Sequence, residues 1–198
     1  KWTVNAANNQ GTIVYRIRQG IRWALNPNSE ASRLVGGREL TTDDVVAHLK
    51  RMITDPGSTF VRSNPELKVA EITKTGPQEI TVKLPLAALV TGIFRFGDAT
   101  AIQPPEVIAK YGNMENWKTS VGTGPFILID YISGSAAILV NIPNFWGKDP
   151  IGPCKGNQLP YLDSVRILII PDASTRQAAL RTGKIDTLSG FFWDEAEQ

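Results

Sequence analysis

The segment from Val121 to Asp186 constrains the fold most. It opens on Val121-Gly122-Thr123-Gly124-Pro125-Phe126 and closes on Ala179-Leu180-Arg181-Thr182-Gly183-Lys184-Ile185-Asp186. Between these ends, Phe126 to Ile132 and Ala136 to Ile142 are apolar runs joined by Ser133-Gly134-Ser135, whose small residues suit a tight hairpin turn. Pro150, Gly152, Pro153 and Gly156 mark a loop, and Ser164 to Ile170 predicts another strand. Asp172 or Ser174 caps a helix with its body at 175–182, which Gly183 stops before a strand that begins at Ile185. Everything upstream of this segment reads as a separate unit.

In that upstream unit, Thr12 to Arg18 places Ile13, Tyr15 and Ile17 on one face and Arg16 and Arg18 on the other, as in a half-buried strand. The stretch from Asn26 to Gly37, rich in Asn, Ser, Gly and Pro, predicts a surface loop. Thr41-Thr42-Asp43-Asp44 supplies a capping hydroxyl and first-turn acids ahead of Val45, Val46, Leu49, Met52 and Ile53 at helical spacing. That helix ends near Asp55-Pro56-Gly57, and Thr59 to Asn64 follows as a polar loop. Val69 to Thr75 and Glu79 to Leu84 flank Gly76-Pro77-Gln78 and predict a hairpin whose Ile80, Val82 and Leu84 share a face. Leu86 to Phe96 fits a short helix or a buried strand, because a continuous apolar run has no period to separate the two. Pro104-Pro105-Glu106 starts a short helix that Gly112 ends.

Composition removes several function classes. With 42% hydrophobic residues in 198, the chain has enough apolar surface for one large domain or two small lobes. Lys+Arg 21 against Asp+Glu 19, without basic clusters, argues against a nucleic-acid partner. No apolar run reaches the roughly 18 residues a bilayer crossing requires. Cys154 and His48 are single, which excludes an internal disulfide, a Cys/His metal cluster and a His-dependent triad within this chain. The expected cofactor and metal complement is none. The chain starts at Lys1 without an apolar leader, and the expectation is that its true start has been removed.

Gly122-Thr123-Gly124 lacks the Lys-Ser or Lys-Thr pair of a phosphate loop and the third glycine of a dinucleotide fingerprint. Its glycines are expected to supply unusual backbone angles where the chain passes from one lobe to the next, with a backbone-lined ligand contact as the functional reading. Asp43 and Asp44 are adjacent on a helix and point apart, so they read as helix-start residues rather than a catalytic pair. No nucleophile stands with a base, so no catalytic residue is assigned. The five tryptophans, Trp2, Trp23, Trp117, Trp146 and Trp193, suit core and lobe packing, with a ligand cleft as the alternative for some of them. Phe60 is the aromatic placed at a cleft rim.

Taken in order, these motifs resemble the family 5 extracellular solute-binding proteins, which deliver peptides, nickel complexes or sugars to ABC importers. The resemblance rests on Tyr15 to Trp23, Arg38 to Val46, Val121 to Phe126, Asn141-Ile142-Pro143-Asn144-Phe145-Trp146-Gly147, Leu162-Asp163-Ser164-Val165 and Ala179 to Asp186. It departs from the family at 25–37, where family members have a short turn. It implies an α/β (mixed α+β) fold: a two-lobed, periplasmic-binding-protein-like fragment with mixed β-sheets and flanking helices. Residues 1–119 are then the smaller extra lobe, and 120–198 are an incomplete part of the ligand-cleft lobe. The implied function is non-enzymatic capture of a peptide, or another small solute, for ABC transporter permease subunits. Phe60, Gly122, Thr123 and Gly124 are the candidate ligand contacts. A monomer is expected, located in the periplasm or outside the cell, and held at the outer face of the cytoplasmic membrane if the parent is a lipoprotein. A ligand-sensing module, and then a hydrolase, are the competing classes.

Overall fold

The computed structural model describes residues 2–5, 8–98, 101–143 and 145–190. Strands β1 (Trp2–Asn5) and β2 (Gln10–Arg16) open the chain, and β2 carries the alternation expected of Thr12 to Arg18. Three helices follow: α1 (Glu30–Val35), α2 (Thr42–Thr54) and α3 (Thr59–Ser63). The hairpin β3 (Glu71–Gly76) and β4 (Glu79–Pro85) comes next, then α4 (Leu89–Asp98) and α5 (Pro105–Tyr111). The remainder is β5 (Phe126–Ile132), β6 (Ala136–Asn141), β7 (Ser164–Leu168) and α6 (Ala173–Arg181).

The first four strands form one antiparallel sheet in the order β1-β2-β4-β3. Ile13 lies opposite Val82, and Ile72 lies opposite Val82 from the other side, so one face is continuous aliphatic surface. Ile80, Val82 and Leu84 share it as the alternation predicts, each almost without exposure. Helices α2 and α4 pack against this sheet. The close approach of α4 depends on Gly11, where an added Cβ would lie 2.7 Å from Leu89 Cδ1 and 3.0 Å from its Cβ. The apolar run from Leu86 resolves into a 3-10 turn and then α4, because ten residues of one helix bury Leu89 and Phe96 against the sheet while the run lacks strand partners.

Two expected loops are helices. Within 26–37, Ser29 accepts a hydrogen bond from the Ser32 amide and Gly36 closes α1 at φ 66°. Ala31 and Val35, four residues apart, bury one face into the core, so the segment is not surface loop. The abundance of turn-forming residues reflected its caps rather than its body. Likewise 59–63 winds into α3, whose Phe60 packs on Phe96 with ring centroids 5.3 Å apart.

The hydrophobic core extends from Ile13 to Val121. Strands β5, β6 and β7 form a second antiparallel sheet outside it, in that order, with a bulge between Leu128 and Asp130. Ala137 and Leu139 point to one face and Ile138 and Val140 to the other, the pattern of a sheet covered on both sides. Here Ile129, Ile132, Ile167 and Leu168 are all exposed, with Ile167 at 53%. Asp172 caps α6 by accepting from the Thr175 amide at 2.7 Å. Among the described residues the strand expected from Ile185 does not form and no strand offers it a ladder; the Lys184 and Ile185 amides instead turn back to the Ala179 carbonyl. Among the described residues no helix is long and apolar enough to cross a membrane.

Candidate functional site

Helical spacing places His48, Arg51, Met52 and Asp55 along one side of α2, and this side forms the floor of a cavity of about 670 Å³. Phe60 and Asn64 of the following segment, Arg95 of α4, and Gln103 and Glu115 complete the wall. Phe60 is thus one of the residues lining this cavity.

The floor is rigidly held. Arg51 Nη1 donates to Gln103 Oε1 at 2.6 Å and its Nη2 to the Gly112 carbonyl at 3.3 Å, while Asp55 Oδ2 lies 3.5 Å away. Asp55 Oδ1 accepts from the Gly57 amide at 2.8 Å, which fixes the turn after α2. Asn64, only 5% exposed, donates through Nδ2 to the Phe60 carbonyl at 2.8 Å and accepts from Arg95 Nε at 3.1 Å.

His48 is 7% exposed and neither ring nitrogen has a protein partner. Burial, reinforced by the Arg51 charge, pushes its imidazole down to about 4. An unfolded histidine titrates near 6.5, so between about pH 4 and 6.5 the unfolded chain holds the extra proton. Stability thus falls as pH drops through that window, by up to about 3 kcal/mol from this residue. In His48→Leu this component disappears: urea titrations at pH 7 and pH 4.5 should show a pH-dependent loss smaller by about 2–3 kcal/mol than in the wild type. Equal losses in the two proteins would refute the assignment.

The other sequence candidates lie elsewhere. The Gly122 carbonyl accepts from the Ala24 amide at 2.8 Å, and the Thr123 carbonyl accepts from Trp146 Nε1 at 3.0 Å. Arg18 sits 5.1 Å over the Trp146 ring and holds the end of β2 against the same junction. Neither Gly122 nor Gly124 adopts a left-handed φ, and a Cβ at Gly124 would meet nothing within 4 Å. The expectation of unusual backbone angles is therefore corrected: carbonyl acceptance, not special φ, fixes this crossing. Gly122 lines a separate apolar cavity of about 340 Å³ with Phe126 and Leu139, and shares no cavity with Phe60.

The three tryptophans whose side chains are described, Trp23, Trp117 and Trp146, do not converge on one cleft. Trp23 is core at 2% exposure; Trp23 and Trp146 both border a cavity of about 280 Å³, and Trp117 borders another beside Tyr111. Trp2 lies in β1, and Trp193 lies outside the described residues. Sequence reasoning missed Arg95 and Asn64. A lone cation inside the apolar run from Leu86 to Phe96 was the available signal for the first; nothing in the sequence marks Asn64 as its partner 31 residues away. Among the described residues, no three His, Cys, Asp or Glu side chains assemble as metal ligands.

Comparison with known proteins returns a family profile, "Bacterial extracellular solute-binding proteins, family 5 Middle", that matches residues 2–198. A probable ABC transporter-binding protein of Deinococcus radiodurans is 30% identical over 206 residues, covering 96% of this chain and 32% of that protein. The oligopeptide-binding protein AppA of Bacillus subtilis is 31% identical over 164 residues, covering 76% of this chain and 26% of its own length. In structure, the periplasmic binding protein DppA of Helicobacter pylori in complex with the peptide STSA superposes with a TM-score of 0.68 at 22% identity, over 100% of this chain and 38% of that one. The chain thus spans about a third of the length of such relatives.

Proposed function

The chain belongs to the bacterial extracellular solute-binding proteins of family 5, and from that premise we propose that it supplies one wall of the ligand cleft of an ABC importer's binding protein, with a peptide as the solute. The observation that carries this reading is the profile match across residues 2–198 together with an open cavity that Phe60 helps to line. The peptide follows from the relatives: AppA is an oligopeptide-binding protein, and DppA was solved with STSA bound. The family's members are extracellular solute-binding proteins rather than enzymes. This protein acts outside the cytoplasmic membrane, hands its solute to permease subunits and works as a monomer.

In this reading residues 1–119 form the smaller lobe and 120–198 part of the cleft lobe. Two features support the division: the core extends from Ile13 to Val121, and the second sheet begins at Phe126, outside that core, with aliphatic residues exposed on its first and last strands. Phe60 contacts the solute directly, whereas Gly122, Thr123 and Gly124 contribute backbone at the lobe crossing.

Calorimetry on the full-length parent against a peptide library tests the proposal. The parent should bind at least one peptide, and residues 1–198 alone should bind the same peptide no tighter than about 1 μM, since one wall forfeits the contacts of the other. No response of the parent to any peptide, sugar or metal chelate would end the solute-binding reading. Nanomolar binding by residues 1–198 would show that the cleft is complete without a second wall.

A further inference from the structure

We propose that the groove between α1 and β5 is a second ligand site, apart from the solute cleft, and that it takes a saccharide. It encloses about 520 Å³, within the range of small-ligand sites, and shares no residue with the Phe60 cavity. The proposal does not rest on the solute-binding reading. One wall comes from the stretch at 25–37, where the chain departs from the family resemblance and which no role assigned so far uses. Ala31 and Val35 bury one side of α1 in the core, whereas Asn26, Asn28 and Glu30, ahead of the helix and at its start, line the groove. Trp117 and Tyr111 line it from a second side, and Leu128 and Ile129 from β5. The walls are fastened to each other: Ser29 Oγ donates to the Lys118 carbonyl at 3.0 Å, and Lys110 Nζ donates to Glu30 Oε1 at 2.5 Å.

The polar groups left without partners are donors. Asn26 Oδ1 accepts from the Asn28 amide at 3.0 Å, and Asn116 Oδ1 accepts from the Lys118 amide at 3.0 Å. Each carboxamide is thereby oriented, because the flipped group would set N–H against N–H. Among the described residues neither Nδ2 has an acceptor, and Lys118 Nζ, 5.8 Å over the Trp117 ring, makes no ion pair. The groove therefore offers aromatic surface edged by fixed N–H donors. A pyranose ring matches that pairing: its C–H face is apolar and lies flat on an indole, and the hydroxyls around its rim accept from such donors while keeping their own protons for water. A purely apolar ligand would leave the donors unpaired. A polyanion would meet Lys118 as the only cation of the lining and Glu30 as an opposing charge.

The test is calorimetry on the full-length parent with glucose, maltose, cellobiose and N,N′-diacetylchitobiose, and with adenosine and uridine as flat-ring controls. At least one saccharide should bind with a Kd on the order of 0.1–1 mM, as suits an open site built on one aromatic platform. Trp117→Ala should weaken that binding about 10-fold or more, and Trp117→Phe should keep part of it. Asn26→Asp and Asn116→Asp retain the oxygen that closes each turn and remove only the donor. Each should weaken binding about 3- to 10-fold with the urea midpoint of unfolding unchanged, a split that a merely structural role would not produce. Affinity untouched in Trp117→Ala and in both Asp variants overturns the site, as does failure of every saccharide or binding of the nucleosides in their place. Parent already loaded with a peptide it binds should take the saccharide with unchanged affinity; displacement would put the sugar in the solute cleft and overturn a separate site. A parent that binds a saccharide in the groove but no peptide keeps this proposal and removes peptide as the solute.

Discussion

Replacing Arg38 with methionine should lower the unfolding free energy by about 2–3 kcal/mol, read from urea denaturation. Arg38 makes two bidentate pairs at once. Its Nη1 and Nη2 reach the Asp44 oxygens at 2.7 and 2.8 Å, and its Nε and Nη2 reach the Glu106 oxygens at 2.7 and 2.8 Å. Through them the chain before α2, the first turn of α2 and the start of α5 are joined at one point. Asp44 is the vulnerable member, because its side chain is 7% exposed and it also closes the capping box with Thr41. Without the guanidinium a carboxylate is left buried and unpaired, which costs more than the pair itself contributes. Arg38 retains 35% exposure, so solvent screening places the expected loss at the lower end for buried pairs.

The pH dependence has a definite sign. Burial works to raise the Asp44 carboxyl, but hydrogen bonds from Arg38 and Thr41 outweigh it and the net value is lowered; Arg38 likewise lowers Glu106. Carboxyls whose folded values lie below their unfolded ones contribute stability above the unfolded range, and that contribution is lost as pH falls through the folded values. Wild type and Arg38→Met should therefore converge in stability toward acid pH. A loss under about 0.5 kcal/mol at pH 7 would mean the network is screened like an ordinary surface pair.

The sequence made some elements legible and hid others for physical reasons. The β3–β4 hairpin, α2 and the β5–β6 hairpin were readable because period and turn chemistry agreed locally. Helix α1 was hidden because its six residues lie between flanks rich in Asn, Pro, Ser and Gly, which dominate the local composition, and its burial comes from a core assembled elsewhere in the chain. The strand expected after Gly183 failed for the opposite reason: local propensity was present and a partner strand was not. In the cavity wall, Phe60 stood out in the sequence as a lone aromatic in a polar stretch. The Asn64–Arg95 contact did not, because pairing across 31 residues is decided by how α4 lies on the sheet.

Trp23→Ala should be the most damaging single substitution considered, with a loss of about 3–5 kcal/mol. Trp23 is 2% exposed within the main core, so alanine leaves a void that the surrounding β-sheet and helices cannot close. The position is also tied to the segment that leads into the second sheet: the Trp23 amide donates to the Arg38 carbonyl at 3.0 Å, and the next residue, Ala24, donates to the Gly122 carbonyl at 2.8 Å. Loosening the indole should therefore speed hydrogen exchange at the Ala24 amide more than at the β3–β4 ladder amides. Trp23→Phe separates volume from polarity. Its indole Nε1 is buried with no protein acceptor, so phenylalanine loses contact area but also removes an unpaired donor, and the net cost should stay below about 2 kcal/mol. If phenylalanine proves as harmful as alanine, the indole nitrogen contributes and the packing argument is wrong. If alanine costs under about 1 kcal/mol, the crossing is held by its backbone bonds and by Trp146 alone, and the core does not set how the second sheet is attached.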